Sequence, residues 1–125
     1  MSIFLLISVT IPSSLHSHAS SVPTLIGSNF SEWYEQVEFT LGVLDLDMAL
    51  LVPKPEEITE DSTTVQVDTM KAWERSNRLS LMFMRMTMAN NIKTSIPQTN
   101  SAMELLTAVK ERFKLADKSL AGTLM

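Results

Sequence analysis

The chain has 125 residues, 45% of them apolar, and a net charge of −4 at pH 7, which suits one domain with one hydrophobic core. It contains no Cys, which excludes disulfides, thiolate nucleophiles and Cys-ligated zinc. The charge is uneven: residues 1–66 hold nine acids against one base, Lys54, and residues 67–125 hold nine bases against five acids, so an acidic half can dock on a basic half of a neighbour, while an excess of four bases is thin for a nucleic-acid footprint.

The apolar run from Ile3 to Ile11 is too short to span a bilayer. Ser17 and Ala19 offer small residues for a signal cleavage before Ser20, yet no Lys or Arg precedes the run. Residues 1–21 are therefore read as a disordered or weakly helical leader, or a signal-like one, with a loop-like tail over residues 13–21. The expected location is cytoplasmic, with secretion as the alternative if residues 1–19 act as a signal. His16 and His18 form a lone pair without a third ligand, so no metal site is expected.

Val22-Pro23-Thr24-Leu25 reads as extended, because the residue before Pro avoids the helical region. Gly27 then supplies a turn. Asn29, with Glu32 three residues later, has the spacing of a capping box. A first helix is expected over residues 30–44, with Phe30, Trp33, Val37, Leu41 and Leu44 on one stripe and Glu32, Glu35 and Glu38 elsewhere. A short helix is expected over residues 45–51, ended by Pro53 and Pro55. Residues 56–64 are acidic, rich in Thr and Ser, and read as an exposed loop.

The longest helix is expected over residues 69–91, capped by Asp68. Met70, Trp73, Asn77, Leu81, Met84 and Met88 fall on one face, and Leu79, Met82, Phe83 and Met86 widen it, so the helix is central and contacted on two sides. The alternation of Met82, Met84, Met86 and Met88 also fits a strand, but Met is a good helix former and no β-branched partner strand is in sight. Nine Met residues favour adaptable packing. Core packing is the expected use of this side, with a peptide groove as the rival. Ser101 with Glu104 is a further capping box. It opens a helix over residues 102–114 with Ala102, Leu105, Leu106, Val109 and Phe113 inward. Asp117 then caps another helix carrying Leu120, Leu124 and Met125. The chain stops inside that helix, which reads as a fragment of a longer helical protein. The fold class is all-α: a small helical bundle, incomplete at its C-terminus, with residues 22–125 as its domain.

Little here carries chemistry. A nucleophile needs a base beside it, and both His residues lie in the leader. The three Gly residues are scattered, so no phosphate-cradling loop is expected. Asp45 and Asp47 lack the further ligands of a calcium loop. Trp33 and Trp73 sit on apolar stripes and read as core anchors rather than stacking platforms for RNA. No catalytic residue, cofactor, metal, small-molecule substrate or membrane span is expected.

Three segments carry a family resemblance: Leu25-Ile26-Gly27-Ser28-Asn29-Phe30-Ser31-Glu32-Trp33, then Trp73 in the long helix, then Ser101-Ala102-Met103-Glu104-Leu105-Leu106 leading to Phe113. In kind and order they resemble the Gag polyprotein of plant copia-type LTR retrotransposons, over about residues 22–125. That family reads Leu-x-Gly-x-Asn-Phe/Tyr-x-x-Trp in the first segment and carries Trp where this chain has Leu106. The resemblance implies a capsid-like helical domain that multimerises into particles around the element's RNA. These segments and the apolar stripes together give Leu25, Gly27, Asn29, Phe30, Trp33, Trp73, Leu81, Met84, Leu106, Val109 and Phe113 as motif and core anchors. The resemblance also implies self-association in the full-length context, with RNA gripped mainly by a downstream zinc knuckle that is absent here. Two further readings are a stand-alone helical protein-binding module and a secreted helical protein.

Overall fold

A computed structural model describes residues 13–124, with side chains from 15 to 113. The described chain is all-α. Six helices follow in order: α1 Ser13–Ser21, α2 Phe30–Val43, α3 Met48–Leu51, α4 Thr64–Met86, α5 Asn90–Ser95 and α6 Ala102–Leu124. Helix α4 is the hub, with α1, α3 and α6 packed on it, and α6 also packs on α2 and α3.

Helix α1 corrects the loop-like reading of the leader's tail. Residues 13–21, expected to be loop-like, are helical, and Leu15 and Ala19, four residues apart, are buried in the common core together with Val22. The Ser and His residues hid an i, i+4 apolar pair. The signal-like run of residues 1–12 lies outside the described residues, as does Met125.

Helix α2 starts where expected, but Asn29 is not its side-chain cap. The Asn29 amide turns back instead. Ile26 N–H donates to its Oδ1 at 3.0 Å, and its Nδ2 donates to Thr24 O at 2.9 Å. These two bonds close the turn around Gly27, whose φ of +113° favours glycine. The arm before the turn is extended, and Leu25 bridges Met88 in parallel, with Leu25 N–H donating to Thr87 O and Ala89 N–H to Leu25 O.

Helix α4 begins five residues earlier than the apolar pattern suggests. Its cap is Thr63, not Asp68, in a reciprocal box with Gln66. The first two turns are mostly exposed, so they show no burial periodicity. The helix also ends earlier, at Met86. Thr87 folds its hydroxyl back onto Phe83 O and Met84 O, a bond that competes with further helix, and Met88 joins the Leu25 bridge. Helix α6 runs unbroken through Asp117, where a new cap was expected. Its start joins local and tertiary capping. Glu104 N–H donates to Ser101 Oγ, Ala102 N–H donates to Asn77 Oδ1 on α4, and the Glu104 carboxylate accepts from Thr99 rather than from Ser101.

Candidate interaction surfaces

Two polar contacts lock the surfaces in place from inside the core. The first joins the aromatic motif to the end of α4. Trp33 is fully buried, and its indole N–H donates to Thr87 Oγ1 at 2.9 Å. A hydroxyl has one proton and two lone pairs, so Thr87 can donate to the α4 carbonyls and still accept from Trp33. The second joins the α2–α3 turn to the middle of α4. Ser76 and Ser80 both donate to Leu46 O, at 2.6 and 2.7 Å, and Ser76 accepts from Ala49 N–H at 2.8 Å. Trp73 Nε1–H reaches Val52 O at 3.0 Å. Residues 73, 76 and 80 lie on one helix face, so one stripe of α4 holds the whole turn. Asp45 permits the turn's reversal at φ 59°, a conformation Asp tolerates better than most residues.

The motif anchors converge on the core. Leu25, Phe30, Trp33, Trp73, Leu81, Met84, Val109 and Phe113 are buried. Phe30 stacks on Tyr34 and on Phe113, with ring centroids 5.7 and 6.1 Å apart. The first and third motif segments thus meet face to face. Gly27 lies beneath the Phe113 ring: a Cβ there would sit 3.5 Å from it. Leu106 is partly buried against the core, and Asn29 serves the turn. Ser76, Ser80 and Thr87 were missed as structural residues, and Asn77, placed on the apolar face, has the unforeseen role of capping α6. Their one sequence signal is a small polar residue set within an apolar helical face.

Three features reach solvent. An open groove of about 620 Å³ lies between α3, α4 and α6, bounded by Ala49, Val52, Pro53, Trp73, Met103 and Ala108. A smaller pocket of about 240 Å³ adjoins it across Met103 and Thr107 and is edged by Lys110; that ammonium lies 4.8 Å from the Tyr34 ring centroid. The second feature is the outer face of α2. Phe39 is 68% exposed and Val43 64%, one turn apart and opposite the buried stripe of Trp33, Val37 and Leu41. Glu32 and Glu35 continue this face toward the N-terminus, exposed. The third is the outer face of α4, where Lys71, Arg75 and Arg78 are exposed and Met86 is 37% exposed.

Among the described residues the only ion pair joins Lys54 and Glu57 at 3.5 Å. No group of three or more metal-binding side chains forms among them, and no described helix is long and apolar enough to cross a membrane. No known protein family matches the chain, and neither does any curated protein or solved structure.

Proposed function

We propose that this chain is a non-enzymatic structural module that self-associates through its helix faces, in the manner of a Gag fragment from a copia-type LTR retrotransposon. The observation that carries the reading is the outer face of α2. Two large apolar side chains, Phe39 and Val43, stand in solvent on a helix whose opposite face already supplies the core. Contiguous exposed apolar surface beside charged residues is what a protein contact uses. The stacking of the first motif segment on the third, Phe30 on Phe113, is in keeping with the same reading. The chain works in the cytoplasm, and RNA is held chiefly by segments beyond this domain. Light scattering across protein concentration and salt tests the proposal. The expected result is a mass that rises with concentration and falls with salt, because exposed charge pairs are screened. A strict monomer at high concentration overturns it.

A second reading rests on the groove beside Trp73, which suits a partner's apolar helix as a stand-alone binding module would use it. Its mark is a change in Trp73 fluorescence on adding a partner helix, with no self-association of the chain alone.

A further inference from the structure

Helix α2 and helix α4 carry matching outer stripes. On α2 the order is Glu32, Glu35, Phe39 and Val43, at steps of three, four and four. On α4 the order is Arg75, Arg78, Met82 and Met86, at the same steps. One offset of 43 residues relates every pair. Seven of the eight side chains are exposed, and Met82 is partly buried against the core. None of the four charged members has a hydrogen bond or ion pair within the described chain.

We infer that the outer face of α2 on one copy docks, parallel and in this register, on the outer face of α4 on the next copy. The inference rests on the self-association proposed above and names the two faces that perform it. In this register Glu32 meets Arg75 and Glu35 meets Arg78, so the acidic end lies against the basic end. Phe39 meets Met82 and Val43 meets Met86, so the apolar ends cover each other. An antiparallel pairing sets Glu32 and Glu35 against methionines, leaving the four charges unmatched. Pairing α2 with a second α2 sets acids against acids when parallel and acids against Val43 and Phe39 when antiparallel, with no base on either face to match them, which disfavours a two-fold dimer.

The contact is heterologous: each copy offers one α2 face and one α4 face. Such contacts build rings or open chains rather than closed pairs. The stripe from Glu32 to Val43 spans about 17 Å at 1.5 Å per residue. One such helix pair is smaller than a stable stand-alone interface of roughly 1,200 Å² or more, so each contact is weak and the assembly gains from repetition.

The test uses two charge-reversed chains, E32R/E35R and R75E/R78E, with circular dichroism to confirm that both remain folded. All four positions are exposed, so both should fold. Sedimentation velocity then reads association of the unmodified chain, of each variant alone, and of the two mixed. The unmodified chain should associate, and each variant alone should need roughly tenfold more protein, because like charges now face each other. The equimolar mixture should recover association, since each reversed face meets its reversed complement. If the unmodified chain associates but the variants do so equally well, or if the mixture gives no recovery, the assigned faces are wrong while self-association stands. Loss in R75E/R78E alone also overturns the pairing, because the α4 stripe then meets some face of the neighbour other than α2. An unmodified chain that never associates overturns both the pairing and the reading beneath it.

Discussion

Thr87→Val tests the contact that fixes α2 against the end of α4. Valine has nearly the shape of threonine, so the substitution opens no cavity. It removes the acceptor of the Trp33 indole N–H, 2.9 Å away, where Trp33 is fully buried and Thr87 is 1% exposed. A buried donor left without a partner costs about 1–3 kcal/mol, and the lost hydroxyl bond to the α4 carbonyls adds to this. The expected loss is about 2 kcal/mol, which lowers Tm by roughly 6–10 °C for a domain of this size. Urea unfolding followed by far-UV circular dichroism reads it directly. A double-mutant cycle with Trp33→Phe isolates the bond, because phenylalanine has no N–H to strand. In that background Thr87→Val should cost about 1 kcal/mol less or better. If Thr87→Val costs under about 0.5 kcal/mol, or the same in both backgrounds, the indole is not held as described.

Leu15→Ala should destabilise the domain by about 2–4 kcal/mol in the same unfolding assay, since Leu15 is 1% exposed in the common core; an unchanged midpoint would detach α1 from the fold. Gly27→Ala should cost about 1–3 kcal/mol, because φ is +113° while the new Cβ meets the Phe113 ring only at ordinary contact distance, whereas Gly42→Ala, on a helix with ordinary φ, should be neutral or stabilising by up to about 1 kcal/mol.

Much of the helical layout is legible in the sequence because apolar spacing reports burial. Trp33, Val37 and Leu41 mark the inner face of α2, and Met70, Trp73 and Met84 that of α4. Where burial and helix part company, the pattern goes silent. Residues 64–69 are helical with little buried surface, so only the Thr63–Gln66 box announces them. The opposite failure occurs at Met88, whose burial fits the helical stripe although it belongs to a bridge with Leu25. Asn29 shows a further limit. Its identity and spacing fit a cap, but the same side chain can serve a turn, and here the Gly27 reversal takes it. The polar anchors Ser76, Ser80 and Thr87 look like weak points in an apolar face. Their partners are backbone carbonyls, the Ala49 N–H and a ring N–H, some of them far along the chain, which no local spacing encodes.

The candidate surface was legible in part. The charge asymmetry between the two halves of the chain pointed to complementary faces, and Glu32, Glu35 and Glu38 pointed away from the apolar stripe. Phe39 and Val43 do not join that stripe, but sequence alone does not say whether a second element covers them. The folded arrangement leaves both in solvent and leaves Arg75 and Arg78 exposed on another helix.

Sedimentation equilibrium of the unmodified chain over a wide concentration range, at low and then high salt, tests the central claim most directly. The account predicts an average mass that climbs from the 14.0 kDa monomer past the dimer at low salt and retreats when salt is raised. A single 14.0 kDa species at every concentration and salt would contradict it.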